Sequence, residues 1–536
     1  MFVPHSLPGG QNRASLDECS SMSHAAPHAN RQPNILILMA DQLTTRALAA
    51  YGNRVTRTPH LDRLAQEGVV FDSAYSNSPL CAPARYCLLT GQLPSSHGGY
   101  DNAAALSSEA PTYAHYLRRA GYRTILAGKM HFIGADQLHG FEERLTTDIY
   151  PADFTWTPDW QQPNARPEWY HNMSSVLEAG PCVRSNQLDY DDEVVYATRR
   201  KLFDLARDAD TRPFCMTVSL THPHDPYAIP EQYWNLYRDD EIDAPRVPAT
   251  PTDDDAHSRR LRAVIDLDRT PVDATQARAA RRAYYGAISY VDEQIGTLLR
   301  TLEQTGQRDN TIIVFTSDHG DMLGERNLWY KMSFYEPASR VPLIVQAPRR
   351  FAPHRVAESV SLADLLPTLL ALADPDAVPV EPITGRSLLP HLEGRGGHDE
   401  VVGEYLGEGA LAPIVMLRRG PYKFIHSPRD PDLFHHLPDD PDELRNLAPD
   451  PGVHGVALAA LRRDVAALWN LPLLEERVIA SQRRRRLIGA ANVLGAHHSW
   501  DWQPLPDASQ RYIRNHLDLD VLEARARFPA VSGAAR

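Results

Sequence analysis

Cysteine is scarce. Five occur in 536 residues, at positions 19, 81, 87, 182 and 215. So few, and an odd number, exclude a disulfide framework as the source of stability. No uninterrupted apolar run reaches the length of a membrane-spanning helix. Residues 1–33 are rich in Ser, His, Asn and Pro and lack the apolar segment of a secretory signal. Positive charge is also short: 55 Lys and Arg against 68 Asp and Glu leave a formal net charge of −13, the wrong balance for a phosphate-neutralising nucleic-acid binder. That deficit does not exclude a small anionic ligand, because groups lining a pocket outweigh a distant net charge. The expectation is a protein of a reducing cytoplasm, with neither nucleic acid nor membrane as partner.

What is present is an ordinary globular composition, 43% hydrophobic and 23% charged, on a chain long enough for a large core and more than one domain. The run Pro33–Ala40 reads as a strand buried on both faces of a mainly parallel sheet, with Asp41 emerging at its carboxyl end. An amphipathic helix is expected from Thr58 and a second strand at Val69–Phe71. Three further apolar runs repeat one pattern, each ending in polar residues. Tyr122–Ala127 leads to Gly128-Lys129-Met130-His131, Pro213–Leu220 to Thr221-His222-Pro223-His224-Asp225, and Thr311–Thr316 to Ser317-Asp318-His319-Gly320-Asp321. One such aspartate is usually a turn residue or helix cap. If the strands neighbour one another in a parallel sheet, Asp41, Lys129, His131, His224, Asp318 and His319 converge on one edge, where open α/β sheets bind ligands. Two aspartates and a histidine brought together there make an oxygen-rich site for a hard cation.

Residues 150–190, rich in Trp, Tyr, Pro and Asp, read as an insertion packed by its own aromatics and able to cover a site. Residues 235–280 read as an exposed, charged excursion, and Arg278–Leu302 as a helix. Beyond about 395, shorter runs at 401–406, 412–419 and 422–426 predict a small antiparallel sheet, with a helix near 453–470 to cover it. The tail opens on Arg483-Arg484-Arg485-Arg486, expected as a solvated or interface-pairing cluster.

The stretch Pro79–Gly91 organises the rest. Cys81 lies just before Pro83, at the expected start of a helix that Gly91 would cap. A cysteine there is either a buried structural residue or a group whose negative form the helix end favours. The spacing Cys81-x-Pro83-x-Arg85 followed by Leu89-Thr90-Gly91 resembles the signature of type I (formylglycine-dependent) sulfatases. So do Asp41, Gly128-Lys129-Met130-His131, Pro223-His224-Asp225-Pro226, Asp318-His319-Gly320 and Lys331. Gln42 departs from the pattern, since many members place a second metal-binding Asp there. The segments Gly403–Gly409, Ser481–Arg486, Trp500–Leu505 and Arg514–Leu519 resemble bacterial choline sulfatases in particular.

This resemblance implies an alkaline-phosphatase-like α/β fold: a large mixed, mainly parallel sheet flanked by helices, a smaller C-terminal α+β domain (antiparallel sheet plus helix) and a C-terminal tail. The expected divisions are a disordered tail over 1–33, a catalytic domain over 34–394, a small subdomain over 395–478 and an extension with oligomer contacts over 479–536. It implies a divalent metal on Asp41, Cys81, Asp318 and His319, Ca2+ first, with Mg2+ or Mn2+ as alternatives. It implies that a formylglycine-generating enzyme oxidises Cys81, whose aldehyde hydrate attacks sulfur. Arg85, Lys129 and Lys331 would hold the sulfate, His224 or Lys331 would protonate the leaving alcohol, and His131 would help the hydrate expel sulfate. The substrate implied is choline-O-sulfate, whose trimethylammonium suits aromatic faces and carboxylates. Trp156 and Glu408 are placed around it, with Asn102 and Asn172 as further polar contacts and Asp518 from a neighbouring subunit of a homo-oligomer, a dimer or tetramer. A phosphonate monoesterase or phosphodiesterase is the enzymatic alternative. A silent small-cation-binding or assembly protein is the other, if Cys81 stays unmodified.

Overall fold

Seven residues, Asn34–Ala40, set the centre of the molecule. In the computed structural model, which describes residues 32–248 and 255–494, this strand lies between Phe214–Leu220 and Thr311–Ser317 and is parallel to both. Its side chains alternate between two cores. Leu36, Leu38 and Ala40 join one, and Ile35, Ile37 and Met39 the other. A strand covered on both faces needs an unbroken apolar run, which this one has.

The sheet extends from the centre through Arg123–Gly128 to Glu143–Arg144 on one side. On the other side come Leu343–Gln346, Val69–Tyr75 and His354–Ser361, with Arg340–Val341 paired to Val69–Tyr75. Leu343–Gln346 runs against both neighbours, so the sheet is mixed and mainly parallel. Helices cover the two faces. Ala283, Ile288 and Leu298 of the helix Ala274–Gln304 pack into one core, and Leu366 and Leu369 of Leu365–Ala373 into the other.

Parallel registry decides where the polar strand ends fall. Ala40 stands opposite Ser317 and Leu220, and Gly128 opposite Ser219. The residues that follow, Asp41, Asp318, Thr221 and Lys129, therefore leave the sheet at one edge. Gly128 has φ of 94°, and a Cβ there would lie 2.0 Å from the Ser219 carbonyl oxygen. Only glycine permits that approach. The helix Cys81–Thr90 sits beside this edge with all ten residues buried, and ends at Gly91, whose N–H reaches the Cys87 carbonyl at 2.8 Å.

A four-stranded antiparallel sheet follows: Glu400–Tyr405, Ile414–Arg419, Tyr422–Ser427 and Asp430–His436. Leu458, Leu461 and Val465 of the helix Gly455–Leu468 pack against its Val415, Leu417, Phe424 and Phe434. Three of the four strands are expected from the sequence. The fourth, polar in composition, forms because Tyr422–Ser427 offers it a free edge.

Three expectations need correction. Residues 235–280 are not simply exposed: Tyr237, Ile242, Leu261, Ile265 and Leu267 belong to the main core. Charges on the outer face of Ala256–Val264 mask its inner stripe. The 150–190 insertion does not pack on itself alone, since Trp160, Tyr170, Met173 and Val176 join that same core. The arginine run is only partly solvated: it lies on the helix Leu471–Asn492, which runs through the expected 478/479 boundary, and Arg485 is buried. Residues 1–31 of the tail expected over 1–33, and the part of the extension beyond 494, with Asp518, lie outside the described residues. Among the described residues no helix is long and apolar enough to cross a membrane.

Candidate active site

The floor of the site is the set of residues delivered by the sheet edge and the helix Cys81–Thr90. Asp41, Cys81, Asp318 and His319 are all buried, and one donor atom from each lies within 4.8 Å of the others. Cys81 Sγ is 3.2 Å from His319 Nε2. His319 Nδ1 faces the Gly320 carbonyl at 3.0 Å, which leaves Nε2 turned toward the site. Asp318 Oδ1 accepts the N–H groups of Gln42 and His319. Asp41 Oδ2 pairs with Arg85 and Lys129, whereas its Oδ1 is buried with no hydrogen-bond partner. An orphaned carboxylate oxygen beside a second carboxylate and an imidazole nitrogen is a donor set that fits a hard divalent cation.

Arg85 differs from its expected place on the sulfate. Fully buried, it donates to Asp41 Oδ2 at 2.8 Å, to Asp318 Oδ2 at 2.9 Å, and to the Lys129 carbonyl and Ser219 Oγ. Those partners occupy its guanidinium fork. It clamps the two carboxylates from behind, and the cavity wall is left to other cations. Burial acts to raise the pKa of Asp41, but Lys129, His224 and Arg85 hold its carboxyl well below the usual range.

Lys331 is buried, with Nζ 2.7 Å from Gln42 Oε1 and 2.8 Å from His224 Nε2. Burial would discharge it, yet Cys81, Asp225, Asp41 and Asp318 raise its pKa and keep it an ammonium. His224 Nδ1 in turn faces the Asp225 carbonyl at 2.8 Å. Lys129 Nζ lies 4.3 Å from the centre of the Tyr150 ring. Burial raises the Cys81 pKa, but Lys129, Lys331 and His319 overcome this and favour its negative form. His131 takes φ of 58°, its N–H is held by Asp148 at 2.8 Å, and its ring is turned to the Cys81 side chain. Burial lowers its pKa, so the imidazole is neutral and able to take a proton.

Above this floor is a cavity of about 250 Å³. Cys81, His131, His224 and Lys331 line it. So do Trp156, whose ring centre is 5.8 Å from that of His131, and Tyr170, Glu408, Asn102 and Asn172. Glu408 is 3% exposed, and burial, with Asp101 adding to it, pushes its carboxyl up to about 7. Asn102 Oδ1 accepts the Ala82 N–H at 3.0 Å, next to Cys81. Asn172 is exposed and uses its Oδ1 on the Ser174 N–H.

Several residues at the site escape a reading of the sequence. Gln42 Nε2 donates to Asp321 Oδ2 at 2.8 Å, so its oxygen points at Lys331, and the position holds an ammonium where a ligand carboxylate is common. Asp321 and Asp225 stand beside residues already singled out, which was the available signal. Tyr150 and His171, also on the cavity wall, carry none.

Known proteins resemble this chain along most of its length. The family profile described as sulfatase matches residues 33–375. Profiles described as N-sulphoglucosamine sulphohydrolase, C-terminal, and as choline sulfatase enzyme C terminal match 324–468 and 476–528. A choline-sulfatase of Rhizobium meliloti (strain 1021) is 47% identical over 506 residues, 93% of this chain and 99% of that protein. An arylsulfatase of Clostridium perfringens is 30% identical over 438 residues, 75% of this chain and 89% of that one. Among solved structures, a phosphonate monoester hydrolase of Agrobacterium radiobacter aligns with a TM-score of 0.65 at 25% identity, covering 81% of this chain and 95% of that chain.

Proposed function

The chain belongs to the sulfatase family, and from that premise we propose that it hydrolyses choline-O-sulfate to choline and sulfate. The observation that carries the reading is Glu408, a buried carboxyl with no ion-pair partner among the described residues, set with Trp156 in the cavity that Cys81 and Lys331 enter. Burying a carboxylate costs several kcal/mol unless a positive group meets it. A quaternary ammonium supplies that charge and needs no hydrogen bond, and an indole face adds about 0.5–2 kcal/mol. The 47% identity to a choline-sulfatase supports the same choice.

Family membership implies a divalent cation and formylglycine at position 81. Asp41, Asp318 and His319 with residue 81 would hold the cation, Ca2+ by family resemblance, with Mg2+ and Mn2+ fitting the same donors. Bound there, it neutralises an anionic ester and acidifies a hydroxyl, and the oxidised side chain supplies the nucleophile. Lys129 and Lys331 face the sulfate oxygens as fixed positive charges. Arg85 holds both aspartates in place. His224 or Lys331, in contact with one another, delivers a proton to the choline oxygen, and His131 accepts one from residue 81. Maturation by a formylglycine-generating enzyme, a cytoplasmic location and a homo-oligomer complete the proposal.

The phosphonate monoester hydrolase alignment favours one second reading, cleavage of a P–O bond at the same floor. Steady-state kinetics on choline-O-sulfate, an uncharged aryl sulfate and an aryl phosphonate monoester decide between them. The expected order has choline-O-sulfate with the highest kcat/KM. A higher value on the phosphonate overturns the choline reading.

A further inference from the structure

The arginine run at 483–486 has a task that surface charge does not explain. On the helix Leu471–Asn492, Arg485 is 5% exposed and grips Asp101, itself fully buried, with two hydrogen bonds of 2.7 Å. Its Nη1 also reaches Thr157 Oγ1 at 3.2 Å. One turn earlier, Gln482 Oε1 accepts the Trp160 N–H at 3.0 Å, and Trp160 Nε1 donates to the Gly407 carbonyl at 2.9 Å. Asp101, Thr157 and Gly407 are the chain neighbours of Asn102, Trp156 and Glu408. These last three line the cavity.

We infer that Arg485 and Gln482 are positioning residues for the substrate's cationic end, setting Asn102, Trp156 and Glu408 through the residues that adjoin them. The inference rests on the choline reading and extends it: charge selectivity is fixed from outside the sheet that builds the sulfur end. The Arg485–Asp101 fork suits this role because its two parallel bonds fix orientation as well as distance. Both charges are buried, so removing one strands the other, whereas removing both does not.

The test uses the matured full-length enzyme and its Arg485→Met, Gln482→Ala and Asp101→Asn/Arg485→Met variants. Each is assayed on choline-O-sulfate and on an uncharged aryl sulfate, with Tm recorded. Arg485→Met is expected to raise KM for the choline ester about tenfold, the range of one cation–π contact. The aryl ester KM should stay within about twofold, and kcat on either ester within about threefold. Gln482→Ala should raise the choline KM about threefold, and the double variant should regain part of the Arg485→Met loss. If Arg485→Met does not fold, the other two variants decide. A wild-type enzyme indifferent to charge overturns the substrate reading and this inference with it. A wild type that prefers choline, with variants that keep the same KM ratio, overturns the inference alone.

Discussion

The floor of the cavity and its far end, around Glu408, are built on opposite electrostatic plans. At the floor, Arg85, Lys129, Asp41 and Asp318 are fully buried and interlock so that each meets an opposite charge, and Lys331, 1% exposed, rests on Gln42 and His224. Around Glu408 a single buried carboxyl shares the cavity with Trp156 and Tyr170. The floor comes from strand ends and one helix. The far end is assembled from the 150–172 insertion, the start of the small antiparallel sheet and, from behind, the helix Leu471–Asn492. On the proposed reading, the difference teaches that the bond-breaking machinery and the choice of leaving group come from separate parts of the chain, so they can be broken separately.

The largest break is at the nucleophile. Cys81→Ser is expected to lose at least about a thousandfold in kcat on every ester, because an unoxidised serine lacks the second hydroxyl through which the hydrate expels sulfate. Peptide mass at position 81 checks maturation, and full turnover by Cys81→Ser refutes the mechanism. Next, Lys331→Ala should cost about a hundredfold or more in kcat on charged and uncharged esters alike, since it removes a fixed cation and the partner of His224. A loss confined to the choline ester would move Lys331 to the other plan.

At the far end the effects are smaller and fall on KM. Glu408→Gln should raise KM for choline-O-sulfate about tenfold and leave the aryl ester nearly unchanged. Its pH dependence has a definite sign. The carboxyl, pushed up to about 7, is charged above that pH and neutral below it. The wild-type choline KM should therefore fall as pH rises through about 7, and the Gln variant should show no such step. Trp156→Ala should raise the choline KM by about three- to tenfold through the lost ring face. An equal rise for the aryl ester would remove Trp156 from cation recognition.

Much of the floor was legible in the sequence. Apolar runs ending in Asp, Lys or His mark strands buried on both faces, and parallel pairing then has only one edge on which to put those ends. The far end was legible by resemblance alone, because nothing in the local sequence around Glu408 or Trp156 announces burial. Arg85 shows why motif spacing is incomplete: the arginine was visible, but its partners Asp41 and Asp318 come from strands 44 and 233 residues away. Charge runs mislead for a similar reason, since in Arg483–Arg486 the helical turn sends Arg485 inward to Asp101 and leaves Arg483 at the surface.

Residue order by itself determined the parallel sheet, the Cys81 helix and the meeting of Asp41, Asp318 and His319, because hydrophobic period and strand direction are local properties that registry turns into one edge. Tertiary structure alone decided what Gln42 bonds, which way Arg485 turns and that Glu408 is buried. Each of these depends on which distant groups share a low-dielectric space, and pairing energies there are set by position and not by sequence.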